Sequence, residues 1–379
     1  MERKFKIIIS VGIVFLTAAT SVAVFAYRNM NYDFFNDKFL EKKGFKLGFT
    51  ENIAELDDGS EIYYLEGPDN GPNLLLLHGQ QASCLDYAKV LPRLSEEFHV
   101  YALDYYGHGN SSKNPDKYSA VEIGNDIIWF IKNIMKEKAY ISGHSSGALL
   151  AAYVAAKTPE NIIATILEDG PFFSTLSGRA EKTISWLGFK NMHDYLNQNE
   201  VKTFMEYSLE NDYMQEVFNV KDPQAWNKIV KEPALKYLDK HPGQVPKIWF
   251  YPPKLGVNSI YALNASMQDG TSNYDLRFGA TFYDFSWFTG FNLEEILKSI
   301  ESPTIVMHVA PSEMTAPGYY DENGILLAAM DETDAQKVVD LVPNSKYIGG
   351  FKSAHDIHAD LPDEYIEVLF GLKNQMEKD

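Results

Sequence analysis

Cysteine is nearly absent from this 379-residue chain, which has one, Cys84. A single thiol cannot close an intramolecular disulfide or supply a multi-cysteine metal site. No nucleophile pattern surrounds it, so Cys84 reads as a buried structural thiol. Positive charge is also scarce. Lysine and arginine number 34 against 52 aspartates and glutamates, a net charge of −18. That balance argues against nucleic acid and anionic lipid as partners and favours solubility. The chain has no phosphate-loop lysine motif, and Gly107-His108-Gly109 lacks the glycine spacing of a dinucleotide site. No helix is rich in histidine, so zinc is not indicated, and neither a cofactor nor a metal is expected. Internal repeats and low-complexity tracts are missing. Apolar content of 45% and charged content of 23% are ordinary for one large globular domain or two.

Charge is missing altogether from Ile7 to Ala26, a run that comes after Arg3, Lys4 and Lys6. Such a run is long enough to cross a bilayer as a helix, and the basic front favours export of the body of the chain. Residues 1–29 are expected to be a signal peptide, cleaved near Val24-Phe25-Ala26, or a membrane anchor. The body is then expected outside the cell membrane or secreted.

The body alternates strands and helices. Glu61–Leu65, Leu74–Leu77, His99–Leu103, Lys138–Ser142 and Ile162–Leu167 read as strands, the second as one buried on both faces. Residues 82–96 and 119–136 read as helices, the latter with Ile123, Ile127, Phe130, Ile131 and Ile134 on one face. Alternation of this kind means a mostly parallel sheet covered on both sides. It stops between residues 172 and 302, an insert that holds four of the five tryptophans. It resumes with strands at Thr304–Val309 and Ser345–Gly350 and helices from Thr333 and Pro362. The expected organisation is residues 30–171 as the first part of the core, 172–302 as a mainly helical cap and 303–379 as the second part. Most of the insert's aromatics are expected to form its own small core.

The stretch that organises the rest is Gly143-His144-Ser145-Ser146-Gly147. It lies after a β-prone run and before an alanine- and leucine-rich helix, the setting of a serine on a sharp strand-to-helix turn. The serine must take a strained backbone conformation to expose its hydroxyl, and only small residues fit two places to either side.

With that motif in place, the chain from about residue 45 onward resembles the α/β-hydrolase superfamily. Four segments carry the resemblance in the expected order. They are His78-Gly79 after a buried strand, the run from Asp104 through Gly107-His108-Gly109 to Ser111, the elbow at Ser145, and His355 seven residues before Pro362. The resemblance implies an α/β-hydrolase sheet with the cap inserted after the sixth strand. It implies Ser145 as nucleophile and His355 as base, with His358 the near alternative. Backbone N–H groups of Gln80 and Ser146 would form the oxyanion hole, and the Asp104 segment would be structural.

The family expects an acid after the strand Thr304–Val309, and this chain reads Ala310-Pro311-Ser312-Glu313 there. Asp331, 24 residues before His355, is the favoured replacement. Asp169, at the end of the sixth strand, and Glu313 stay open. The resulting expectation is a serine hydrolase acting on an ester-like bond of a small, hydrophobic substrate. Alternatives are carbon–carbon bond hydrolysis or aminopeptidase chemistry on the same triad, or a catalytically silent binding protein. Aspartate-based dehalogenase and epoxide-hydrolase chemistry is disfavoured by the serine.

Overall fold

A computed structural model describes residues 17–199, 202–268, 273–311 and 318–378. At its centre an eight-stranded sheet runs in the order β1-β2-β4-β3-β5-β6-β7-β8. The strands are β1 (Thr50–Glu55), β2 (Glu61–Glu66), β3 (Asn73–Leu77), β4 (His99–Leu103), β5 (Ala139–His144), β6 (Ile162–Glu168), β7 (Thr304–Val309) and β8 (Ser345–Phe351). The β1–β2 and β2–β4 pairs are antiparallel. Every other pair is parallel. Leu74 to Leu77 on β3 are wholly buried, consistent with a central strand covered on both faces. Each such leucine contributes roughly 1.5–3 kcal/mol through burial.

Two apolar layers sandwich the sheet. On one face α1 (Ala120–Phe130) packs against α2 (Ser146–Lys157). Ser119 caps α1 by accepting the Glu122 N–H at 3.2 Å. Gly124 lets the helices approach, since a Cβ there would stand 2.2 Å from the Tyr153 ring. The helix expected over 82–96 is instead two short pieces, a 3₁₀ turn at Cys84–Lys89 and a single turn at Leu91–Leu94. Pro92 has no N–H to continue an α-helical ladder, and Asp104 Oδ1 takes the Cys84 N–H at 2.6 Å.

Between β6 and β7 the described residues are mainly helical. They include α3 (Ile184–Leu196), α4 (Phe204–Asn211), α5 (Val257–Ser266) and α6 (Leu276–Tyr283). Part of this insert has its own core around Met205, Leu209, Trp226, Val230 and Tyr261. Phe278, Phe282 and Trp287, by contrast, join the main apolar layer. Backbone bonds pin the insert to the core loop, from Gly109 N–H to Asn273 O at 2.7 Å and from Asp275 N–H to Gly107 O at 2.9 Å. The chain then completes the core with α7 (Glu332–Leu341) and α8 (Pro362–Met376).

Of the expected N-terminal apolar helix, residues 17–30 are helical and largely exposed, and residues 1–16 lie outside the described residues. No helix among the described residues is long and apolar enough to cross a membrane.

The elbow glycines are fixed by close approach. A Cβ on Gly143 would lie 2.1 Å from Gly147 O, and one on Gly147 would lie 2.2 Å from Leu77 O and 2.4 Å from His78 O. These obstacles are backbone and cannot swing away. Gly147→Ala is therefore expected to destabilise the fold by on the order of 2–3 kcal/mol. A urea denaturation midpoint equal to that of the unaltered chain would contradict this account of the turn.

Candidate active site

Ser145 sits between β5 and α2 with φ 54° and ψ −123°. The residue is non-glycine and β5 runs directly into it, so the strain is held by the sheet and the helix together. Its N–H donates to Glu168 O at 2.9 Å, and its carbonyl accepts the Ala148 N–H at 2.9 Å. Ser146 begins α2, and its hydroxyl lies 2.9 Å from Tyr105 OH. Gln80 lies just beyond β3, and its side-chain oxygen accepts Tyr274 OH of the insert at 2.5 Å. Among the described residues the backbone N–H groups of Gln80 and Ser146 have no hydrogen-bond acceptor. Ser145, Ser146, Gln80 and His355 all line one cavity of about 500 Å³. Its remaining wall is largely apolar and comes mostly from the insert, with Trp186, Phe189, Met192 and Phe282 prominent.

His355 lies in the turn after β8. Its Nδ1 is 2.7 Å from Asp169 Oδ2, so the N–H of that nitrogen points at the carboxylate. The other oxygen, Oδ1, lies 2.7 Å from His308 Nδ1 on β7. Asp169 is wholly buried, has φ 43°, and comes directly after the last residue of β6. Its own N–H is held by Met307 O at 2.9 Å. One carboxylate thus faces two imidazoles, and one of those imidazoles opens onto the serine's cavity.

Known proteins resemble this chain in both sequence and fold. A family model described as the alpha/beta hydrolase fold matches residues 72–188. A 2-(acetamidomethylene)succinate hydrolase from Mesorhizobium japonicum is 32% identical over 107 residues, 28% of this chain and 38% of that protein. A bifunctional esterase/perhydrolase from Acinetobacter calcoaceticus is 32% identical over 109 residues, 28% of this chain and 40% of that protein. The match thus spans about two fifths of either relative's length. The crystal structure of a hydrolase from Pseudomonas aeruginosa superposes with a TM-score of 0.55 at 17% identity, covering 85% of this chain and 98% of that one. Residues 72–188 match the α/β-hydrolase family model, and the chain as a whole has the α/β-hydrolase fold.

Placed on this sheet, the residues expected from sequence divide cleanly. Ser145, Ser146, Gln80 and His355 converge on the cavity. Asp331 does not reach His355. It is the N-cap of α7, where Oδ1 accepts the Asp334 N–H at 2.9 Å and Oδ2 pairs with Arg179 at 3.0 Å. The loop before α7 does not carry Asp331 to the end of β7, and Asp169 occupies the position at His355. Glu313 lies outside the described residues. His358, the alternative base, is buried away from the cavity, with Nδ1 2.9 Å from Glu168 Oε1.

His308 went unread in the sequence. Its signal was a histidine at the end of the very strand where the expected acid was missing. The Asp104 segment is structural as expected. Asp104 accepts N–H groups from Cys84 at 2.6 Å and Asn110 at 2.9 Å. A Cβ on Gly109 would collide with its carboxylate at 1.8 Å.

The electrostatics arise from the contacts. Burial acts to raise the Asp169 pKa, but hydrogen bonds from His308 and His355 outweigh it and bring the carboxyl from 3.8 to about 2. Enclosure disfavours the His355 cation, yet the hydrogen bond and charge of Asp169 outweigh that and raise its pKa from 6.5 to about 9. By contrast His144, whose ring centroid is 4.4 Å from that of His355, falls to about 3 through burial and its histidine neighbours.

The Asp169–His355 pair therefore stabilises the fold in full between the unfolded values of 3.8 and 6.5. Its contribution is lost as pH rises through about 9 and as it falls through about 2. Ring-proton NMR is expected to show His355 titrating above 6.5 in the unaltered chain and lower in Asp169→Asn. A His355 titration unmoved by Asp169→Asn would contradict the pairing.

Proposed function

We propose that this chain is a hydrolase that cleaves an ester-like bond through a serine nucleophile. The observation that carries the reading is Ser145, held at a strained turn and opening with the Asp169-bound His355 onto one apolar cavity. The relatives matched over 107 and 109 residues include a hydrolase and an esterase/perhydrolase by name, which supports hydrolytic chemistry.

A serine hydroxyl is a weak nucleophile and needs a base. On this reading His355 takes the Ser145 proton through Nε2 as Oγ attacks the substrate carbonyl carbon. Asp169 holds Nδ1–H and stabilises the imidazolium that forms. The negative charge that develops on the carbonyl oxygen meets the free N–H groups of Gln80 and Ser146. Such donors are worth about 10²–10³ in rate each, because they are fixed before the charge appears. His355 then returns the proton to the leaving oxygen, and water, deprotonated by the same ring, releases the acyl group from Ser145.

The insert acts as a cap over this site, and its aromatic wall fits an apolar acyl or aromatic group. The reading as a silent binding protein drew its support from the acid missing after β7, and the Asp169–His355 contact weighs against it. The N-terminal run Ile7–Ala26, behind Arg3, Lys4 and Lys6, fits a segment that exports or anchors this body.

The test is hydrolysis of p-nitrophenyl esters of graded acyl length by the full chain and by Ser145→Ala, with fluorophosphonate labelling of membrane and soluble cell fractions. The expected result is a loss of at least about 10³-fold in Ser145→Ala, a preference for medium over two-carbon acyl groups, and label recovered with the membrane or outside the cell. Equal rates in both proteins would overturn the nucleophile. Label confined to the cytosol would overturn the N-terminal reading.

A further inference from the structure

Two histidines next to this site have no part in the proposed chemistry, and both turn a ring nitrogen toward Asp86. Asp86 Oδ2 lies 3.2 Å from His358 Nε2 and 3.9 Å from His144 Nδ1. The three ligand atoms lie within 4.8 Å of one another. His144 and His358 are buried, and neither His144 Nδ1 nor His358 Nε2 has an aligned hydrogen bond among the described residues. A buried polar nitrogen left so is costly, about 1–3 kcal/mol. The far side of each ring is faced by a carboxylate. Glu168 Oε1 is hydrogen-bonded to His358 Nδ1 at 2.9 Å, and Asp356 Oδ1 lies 3.2 Å from His144 Nε2 without an aligned hydrogen bond. Histidines that ligate metals characteristically present their second nitrogen to a carboxylate, which fixes the tautomer and raises ligand basicity.

We propose that Asp86, His144 and His358 form a binding site for a divalent ion of the zinc type. Bonds of about 2.0–2.1 Å place neighbouring ligand atoms of a tetrahedron about 3.3 Å apart. The Asp86–His358 separation of 3.2 Å already matches that edge. The Asp86–His144 separation of 3.9 Å closes with a shift of a few tenths of an ångström in the Asp86 side chain. Asp86 is 22% exposed, so the cluster is reached from solvent through its side chain. Two imidazoles and one carboxylate suit zinc better than magnesium or calcium, which prefer all-oxygen shells. The ion binds neutral imidazole, so zinc affinity is expected to fall as pH is lowered.

The ligands come from three separate segments: the turn behind the Gln80 loop, the residue before Ser145, and the turn after His355. None of the three lines the cavity. The ion is a staple that holds the three loops together, with no contact to substrate, and the site stands whether or not the hydrolase reading does. A histidine-rich helix, whose absence argued against zinc, is not needed when ligands are drawn from scattered segments.

The full chain, stripped with a chelator and dialysed against zinc chloride, tests the assignment. One zinc ion per chain is expected, with thermal unfolding moved upward and affinity at least about tenfold weaker in Asp86→Asn and in His358→Gln. Zinc-edge X-ray absorption on the unaltered chain needs no variant to fold and is expected to read two imidazoles. Failure to retain zinc, or an all-oxygen shell, overturns the proposal. So does retention that survives Asp86→Asn but is lost in Asp356→Asn with fluorophosphonate labelling blocked. That pattern places the ion on His144, His355 and Asp356, which also converge.

Discussion

A buried carboxylate costs several kcal/mol unless its oxygens are paired, and Asp169 meets that condition with one histidine on each oxygen. The three groups come from the end of β6, the end of β7 and the turn after β8, so the pairing ties one edge of the sheet to the loop that carries His355. The same strand end reaches the elbow, because Glu168 O accepts the Ser145 N–H. Ser145's strained backbone and His355's ring are therefore fixed from the same two consecutive residues. Removing one imidazole would leave a buried charge half-paired, which makes His308 as much a part of the arrangement as the ring that faces the cavity.

The rest of the site is built outward from this point by steric exclusion. Gly143 and Gly147 bring β5, α2 and the end of β3 within backbone contact distance of one another. That contact sets the Ser146 and Gln80 N–H groups on the same cavity as the serine. Tyr274, pinned to the core through its neighbours Asn273 and Asp275, reaches Gln80 from the insert. The insert thus contributes both the apolar wall and a brace on the loop that would receive the oxyanion. Behind the elbow, Glu168, His358, Asp86 and His144 continue as a buried polar chain on the side away from the cavity.

Much of this was legible in the sequence because local constraints set it. The run Leu74–Leu77 read as a strand buried on both faces, and the glycine spacing around Ser145, with its flanking strand and helix, as a tight turn. Ser119 and Pro362 marked helix starts that the structure bears out. The helix expected over 82–96 broke at Val90, just before Pro92, and at its start Asp104 takes the Cys84 N–H. The structure sets Asp169 rather than Asp331 against His355 for a different reason. Spacing to His355 favoured Asp331, but an Asp three residues before Asp334 is also a ready helix cap, and local capping prevailed. Asp169 and His308 are 139 residues apart, so only the sheet register brings them together. The His144–Asp86–His358 cluster was invisible for the same reason.

The central claim is that Asp169, and no carboxylate beyond β7, holds the base. It is tested most directly by comparing kcat/KM for ester hydrolysis in Asp169→Asn and Asp331→Asn. The account predicts a loss of about 10³–10⁴-fold in Asp169→Asn, where the ring loses its orienting partner. It predicts a rate within about threefold of the unaltered chain in Asp331→Asn, where a helix cap and the Arg179 ion pair are weakened away from the cavity. A large loss in Asp331→Asn with Asp169→Asn near full rate would contradict it.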